Sequence, residues 1–400
     1  MGFRARPAIL RFLLAFLAAS LAAGCLTAAY TIHTFSGPTL LLRQWPGYAL
    51  EMAAHDPEGE VRWLRQLLRL SPRDTDARVR LALLAEWRGD LASAREGLTQ
   101  ATALDRRYRA QWSRLEFAAR HPDTGHPDTG RPGTGDPGLR ESWDTARRCF
   151  AMSYGDRRAL LETVWRLRPD GQFLLQKVIP DSAPVLFYTT AFLMEQGDLA
   201  SARSSFARLT GLPPASLGRA NAGLVATAAE RANLGLDLTD LHLDRGDPAS
   251  ALAIWRSLTV HQLLRVDGAA EAGRGVMNSR FRTAPIGRGF DWRPSHSAAF
   301  EMRRVDEGWR VDLGAHPPDR VALLQQRVLL PAGPLPRIEV MASAPAFLRP
   351  RLLDEATGQE LAGPLPRARV AKLSIEYGRP AGQPPWRAPL VIHEVRWNSH

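Results

Sequence analysis

The heptapeptide GDLASAR occurs twice in this chain, at residues 89–95 and 197–203, and a near-copy, GDPASAL, occupies residues 246–252. Seven letters do not recur in 400 residues by chance, and a catalytic motif is seldom copied, so the repetition predicts a duplicated structural unit. Each copy lies between two segments with helical periodicity. Glycine favours the end of one helix and aspartate the start of the next, so each copy predicts a joint between two packed helices.

Small and large residues follow each joint at fixed distances. An alanine comes five residues after the glycine, and a large residue follows four positions later, which places both on one helical face. Alanine lets the two helices approach closely, and the large side chain fills the groove beside it. The predicted packing residues are Gly89, Ala94, Leu98, Ala101, Gly197, Ala202, Phe206, Gly246, Ala251 and Trp255.

This order of small and large residues resembles the tetratricopeptide repeat, a helix pair of about 34 residues. Leu81-Ala82 and the series from Gly89 to Ala101 carry the resemblance, while Arg106 stands where a closing proline is usual. The resemblance implies an α-solenoid over residues 40–265 that holds a protein partner on its concave face. An unrelated helical bundle is the alternative. Residues 121–138, HPDTGHPDTGRPGTGDPG, interrupt the array and predict a disordered low-complexity loop.

From residue 276 the helical period stops, and short segments rich in Val, Ile, Trp and Phe alternate with Pro/Gly punctuation. They include VMNSRF, GWRVDL, VALLQQRVLL and RVAKLSIEYG, and PRLLDEATGQEL has the form of a hairpin. This pattern predicts an antiparallel β-sandwich over residues 272–400. The fold class predicted for the whole chain is therefore multidomain, α then β, with an N-terminal membrane helix before the solenoid.

The segments at 278–281, 289–292 and 392–395 resemble those of carbohydrate-binding-module or galactose-binding-like jelly-roll domains. The C-terminal part is also similar to exported bacterial repeat proteins of unknown function. The resemblance implies sugar binding by aromatic platforms with polar partners, and packing in the core is the alternative for each ring. The candidate glycan contacts are Asp291, Trp292, Arg293, Trp309, Tyr377 and Trp386.

The N-terminus carries Arg4, Arg6 and Arg11 before an uncharged apolar stretch over residues 12–32. At a rise of about 1.5 Å per residue, this stretch spans about 30 Å, the hydrocarbon thickness of a bilayer. It predicts a signal anchor over residues 1–35, with one inner-membrane span and the bulk of the chain in the periplasm. A lipoprotein signal ending at Cys25 and a cleaved signal peptide are the alternatives, and all three export the chain.

The net charge of +11 does not indicate nucleic-acid binding. Only Lys177 and Lys372 are lysines, and the arginines are dispersed among acidic neighbours. No phosphate loop, zinc-ligand spacing or nucleophile elbow occurs, and GRGF at 287–290 lacks the third glycine of a nucleotide loop. Cys149, in a helical segment, is interpreted as a small buried hydrophobe. We therefore predict no catalytic residue, no metal and no cofactor.

These features together favour a non-enzymatic, membrane-anchored scaffold that binds a protein partner and, through its sandwich, a polysaccharide. Exopolysaccharide or envelope biogenesis is the expected setting. One alternative is a glycan-processing enzyme whose acids converge in the sandwich, although the pairs Asp306-Glu307 and Asp354-Glu355 have the character of turns. The other is a structural lipoprotein of an envelope assembly.

Overall fold

The computed structural model describes residues 46–121 apart from 57 and 106, residues 137–213 apart from 154, residues 226–266, residues 275–398 and residue 20. Apart from residue 20, the predicted anchor over residues 1–35 lies outside the described residues, Cys25 included, and so do residues 122–136 of the predicted loop. Within the described ranges, no helix is long and apolar enough to cross a membrane. The described helices are α1 (Pro46–His55), α2 (Glu60–Leu70), α3 (Thr75–Trp87), α4 (Leu91–Leu104), α5 (Tyr108–Arg120), α6 (Pro137–Met152), α7 (Arg158–Leu167), α8 (Gly171–Lys177), α9 (Ala183–Glu195), α10 (Leu199–Gly211), α11 (Ala228–Asp244) and α12 (Pro248–Val260).

The chain divides into two compact units, residues 1–145 and residues 146–400. In the first unit, consecutive helices from α1 to α5 pack against each other around two small apolar cores. A Cβ added at Gly97 would lie 3.0 Å from the Cβ of Ala82. Helices α3 and α4 therefore touch through their smallest residues, which is the close approach that the alanine pattern predicts. The second core contains Val79, Ala82, Ala94, Leu98, Ala101, Ala110 and Phe117.

In the second unit, α9 packs on α10 and α11 packs on α12. Gly235 of α11 lies where three helices meet. A Cβ at this position would come within 2.6 Å of both Leu258 of α12 and Phe206 of α10. Any larger residue at 235 would therefore push the two helix pairs apart.

Strands follow the last helix pair within the second unit. They form two four-stranded antiparallel sheets, ordered β1-β4-β7-β6 and β2-β3-β8-β5. Buried side chains from both sheets, such as Val328, Leu373 and Ile392, form one hydrophobic cluster. The strands are β1 (Arg293–Pro294), β2 (Phe300–Val305), β3 (Gly308–Leu313), β4 (Arg320–Leu330), β5 (Arg337–Ala342), β6 (Leu348–Asp354), β7 (Arg369–Gly378) and β8 (Leu390–Asn398).

One predicted strand is absent. The segment VMNSRF forms turns, because Asn278 and Phe281 have positive φ values of +47° and +54°. The Asn278 side chain holds this turn by donating to the carbonyl of Thr283 at 2.9 Å and accepting from its N–H at 3.3 Å. Asparagine tolerates the left-handed region better than most residues, so the local chemistry overrides the strand-like composition.

The predicted hairpin, by contrast, has a turn of the expected kind. Asp354 accepts hydrogen bonds from the N–H groups of Ala356 and Thr357, and Gly358 has a φ of +69°. The division between compact units does not follow the change from helices to strands. It lies between Thr145 and Ala146, so the last helix pairs and the two sheets belong to one unit.

Candidate functional site

The three Gly-Asp joints share one geometry. Gly89, Gly197 and Gly246 have φ values of +79°, +78° and +73°, the left-handed region in which glycine carries no steric penalty. The aspartate after each glycine accepts a hydrogen bond at 3.1 Å from the N–H of the serine three residues later. Each motif thus ends one helix and caps the next.

The predicted packing residues lie inside the helix pairs. Ala94, Ala202 and Ala251 are completely buried, and the large side chains that accompany them are buried as well. Their accompanying residues are Leu98, Ala101, Phe206 and Trp255. None of these side chains is accessible to a ligand, so they hold the helices together and do not form a binding surface.

Among the described residues of the first unit, Trp87 is the most exposed large apolar residue. It ends α3, two residues before Gly89, and its exposed fraction is 83%. The neighbouring Glu86 accepts from Arg120 at 2.8 and 3.0 Å and lies 2.8 Å from the ring of His121. Burial raises the pKa of Glu86, but the hydrogen bonds from Arg120 and His121 outweigh it and hold that pKa below its ordinary value. The end of α3 is therefore fixed to the end of α5 while the indole faces solvent.

The candidate glycan contacts of the sheet region are mostly internal. Trp292, Trp309 and Tyr377 belong to its hydrophobic core, and only Trp386 is half-buried. The rings of Phe347 and Tyr377 stack with centroids 6.0 Å apart, and Trp386 lies 5.2 Å from Phe347. These contacts pack Tyr377 into the core, whereas Trp309 also lines a small cleft beside β2.

Asp291, another candidate, is fully buried. Burial raises the pKa of its carboxyl, although that carboxyl accepts hydrogen bonds from the N–H groups of Ile286 and Trp292 at 2.7 and 2.8 Å. These bonds fold residues 286–292 into a tight loop. Asp291 thus holds the GRGF segment in place and is not available to a ligand.

The GRGF segment docks against the last helix pair. Phe290 meets Trp255 of α12 edge-on with centroids 5.8 Å apart, and Gly289 lies so close to that indole that a Cβ would come within 2.4 Å of it. The N–H of Gly289 donates to Asp240 of α11 at 2.9 Å. The segment therefore connects the helices to the sheets and does not form a nucleotide loop.

An acidic stripe on α11 receives several arginines of the sheet region. Asp237, Asp240 and Asp244 follow each other at intervals of three and four residues, so they lie on one face of the helix. Arg288 donates to Asp237 and, at 3.1 Å, to Asp240. The further contacts are Arg293 to Asp240 at 3.3 Å, Arg327 to Asp244 at 2.6 Å and Arg327 to Glu355 at 2.5 Å.

The carboxylate of Asp240 faces three guanidinium groups, those of Arg288, Arg293 and Arg327, the last at 3.6 Å. Burial lowers the pKa of Arg293, and the adjacent charge of Arg327 lowers it further. Burial also lowers the pKa of Arg327, but its hydrogen bond to Asp244 and the charge of Glu355 outweigh this effect and raise it. The carboxylates of the cluster therefore stabilise the positive charge of Arg327 more than that of Arg293.

A cleft of about 1250 Å³ opens beside this cluster. Its walls are the end of α11, the start of α12, the loop before β7 and residues of β4 and β7. Among the described residues that line it, no side chain is aromatic. Five cationic and three carboxylate side chains do line it: Arg293, Arg327, Arg367, Arg369, Lys372, Asp240, Asp244 and Glu355.

Sequence reasoning missed this cleft. The sequence does carry a signal on α11, because Asp237, Asp240 and Asp244 recur at the spacing of one helical face. Their partners could not be identified, since Arg288 and Arg327 lie far along the chain and are two among many arginines. Of the residues predicted as glycan contacts, only Arg293 lines the cleft.

Asp306 and Glu307 form the turn between β2 and β3, and Asp354 pairs with Arg369. Burial raises the pKa of the Cys149 thiol to about 12. No group of three or more His, Cys, Asp or Glu side chains could hold a metal ion in the part of the chain that the structure describes.

No family model and no curated protein matches this chain. Among solved structures, the chain is similar to the TPR domain of P58(IPK), at 13% identity and a TM-score of 0.24 over 55% of this chain and 60% of that chain. It is also similar to a MamA RS-1 double mutant, at 10% identity and a TM-score of 0.22 over 56% of this chain and 97% of that one. PilF of Pseudomonas aeruginosa gives 18% identity and a TM-score of 0.19 over 55% and 91%.

Proposed function

We propose that the chain is a scaffold that binds a protein partner through its helix pairs, with Trp87 as the anchoring contact. The observation that carries this proposal is the 83% exposure of a tryptophan on a helix end that Glu86 and Arg120 hold fixed. Tryptophan is enriched among the residues that dominate protein interfaces, and a preformed position reduces the entropy cost of binding. Repeated helix pairs of the tetratricopeptide type are well suited to such a role.

The partner is found by placing a photo-crosslinking amino acid at Arg88, the exposed neighbour of Trp87, in the full-length protein and identifying the captured protein. The interaction is then measured with purified proteins. We expect Trp87→Ala to weaken binding at least tenfold without changing the melting temperature, because the ring contributes little to the folded core. Val260→Ala is the matched control, since Val260 is also apolar, lies at a helix end and is 74% exposed. Equal affinities for wild type and Trp87→Ala would refute the proposal.

The proposal includes export and anchoring by residues 1–35, with the helical and sheet regions in the periplasm and the sheets arranged as a β-sandwich. The basic flank and the apolar stretch of residues 12–32 support it. Protease treatment of spheroplasts should digest the exported part and leave an N-terminal membrane fragment. Release of an intact soluble protein would argue against an anchor, and acylation at Cys25 would identify the lipoprotein alternative.

A further inference from the structure

Two like charges face each other across the centre of the first sheet. Arg327 of β4 and Lys372 of β7 are direct register partners, and their core-facing neighbours Val328 and Leu373 are buried, so both cations lie on the outward face. Like charges opposite each other destabilise a strand pair. Arg327 is neutralised by Asp244 and Glu355, whereas no carboxylate among the described residues pairs with Lys372.

Arg367, at the rim of the cleft, is a second cation of this kind. Its side chain is exposed, and it too has no carboxylate partner among the residues that the structure describes. Arg369, in contrast, is paired with Asp354. The cleft thus combines a positive lining with two cations, Lys372 and Arg367, that are available to an external anion.

The lining also narrows the chemistry of that anion. A sugar ring would find no aromatic side chain to stack on. A phosphate monoester, with nearly two negative charges, would be repelled by Asp240, Asp244 and Glu355 more strongly than a singly charged carboxylate. The volume of about 1250 Å³ exceeds the range of about 300–1000 Å³ that suits a small molecule. An extended chain fits it better, and the amide of Gln325 offers both donor and acceptor groups to a peptide backbone.

We propose that this cleft binds an acidic segment of a protein, whose side-chain carboxylates pair with Lys372 and Arg367. A carboxylate of the ligand would supply the negative charge that Lys372, opposite Arg327 in the sheet, does not receive from the described residues. This site differs from the proposed partner contact at Trp87 in residues and in compact unit, so either proposal can fail alone.

The test measures binding of fluorescent hexaglutamate to the full-length protein at low salt, with hexaglutamine as the uncharged comparison. We expect saturable binding of hexaglutamate only, about tenfold weaker after Lys372→Gln or Arg367→Gln, because each change removes a charged contact. Lys372→Arg should retain binding. Lys177→Gln is the matched control, since Lys177 is the other lysine of the chain and is exposed at the end of α8.

The melting temperature of each variant shows whether a loss of binding is caused by a loss of folding. Lys372→Gln relieves the repulsion with Arg327, so we expect its melting temperature to equal or exceed that of wild type while binding falls. Absence of hexaglutamate binding, or an equal loss in Lys177→Gln, would overturn the proposal. Displacement of the peptide by inorganic phosphate or by oligogalacturonate at lower concentrations than by hexaglutamate would also overturn it, in favour of a phosphate or a sugar acid.

Discussion

Gly289 shows how a single missing side chain allows the sheet region to pack on α12. Its backbone has a φ of +56°, and a Cβ would come within 2.4 Å of the Trp255 indole. Gly287, two residues earlier, has a φ of +76°, but apart from its two chain neighbours no described residue has a heavy atom within 4 Å of where its Cβ would be. A side chain at Gly287 would therefore meet backbone strain only, whereas a side chain at Gly289 would meet both backbone strain and a clash with Trp255.

We predict that Gly287→Ala lowers the free energy of unfolding by about 1–2 kcal/mol, the cost of placing a Cβ in the left-handed region. Gly289→Ala should cost about 3 kcal/mol or more, because overpacking against the indole adds to the same strain. Urea unfolding of the two purified variants gives both values. Equal losses would show that Trp255 moves aside freely.

At the scale of elements, the alanine of each joint sets how closely two helices pack. Ala94 is completely buried on α4, whereas Ala92, two positions earlier on the same helix, is exposed. We predict that Ala94→Leu lowers the free energy of unfolding by about 1–3 kcal/mol, since the added atoms have no space between the helices. Ala92→Leu should change it by less than about 0.5 kcal/mol. Thermal unfolding compares them, and similar losses would contradict tight packing at Ala94.

The cap of α4 should make this helix sensitive to acid. Hydrogen bonds from the side chain and the backbone N–H of Ser93 hold the pKa of Asp90 below its ordinary value. A carboxyl whose pKa is lowered by folding stabilises the protein above its unfolded-state pKa of about 3.9, and this contribution is lost as the pH falls through the lower, folded value.

We therefore predict that wild type loses more stability between about pH 5 and about pH 2 than Asp90→Asn does, because asparagine caps the helix without titrating. Chemical unfolding at a series of pH values measures the difference. Parallel pH profiles for the two proteins would mean that the ionised form of Asp90 adds nothing to the cap.

The joints could be predicted from the sequence, because a glycine, an aspartate and an alanine at fixed distances express local geometry. The turn at Asn278 and the ion pairs of Asp240 could not. The turn at Asn278 depends on two hydrogen bonds between its side chain and the backbone of Thr283, which composition does not reveal. Asp240 depends on Arg288, Arg293 and Arg327, which lie 48, 53 and 87 residues away, and in a chain with 52 basic residues, composition cannot select among them. The burial of Trp309 could not be predicted either, since a strand tryptophan carries no mark of which face it occupies.

At the scale of the whole molecule, the sheets and the last helix pair form one compact unit with a charged and an aromatic contact between them. The sequence predicts that the sheet domain begins at residue 272, and Phe290 of that domain packs against the buried Trp255 of α12. A chain ending at residue 266 would expose this indole and leave the acidic stripe of α11 without its arginines.

We predict that such a truncated chain loses amide protection in α11 and α12, measured by hydrogen exchange against the full-length protein. Carboxylates at spacings of three and four residues repel each other once their counter-charges are removed. Arg288→Gln in the intact chain should shift protection in the same direction by a smaller amount. Unchanged protection after truncation would show that the helix pair is stable by itself.

The scarcity of lysine gives this protein a built-in proteolytic reporter. A lysine-specific endoprotease has two sites in the sequence, after Lys177 at the end of α8 and after Lys372 in the middle of β7. Strand β7 is hydrogen-bonded on one side to β4 and on the other to β6, so the bond after Lys372 can be cut only when the first sheet opens. Cleavage at Lys177 requires only fraying of a helix end. The order of the two cleavages would therefore report the opening of the sheet separately from local motion in the helices.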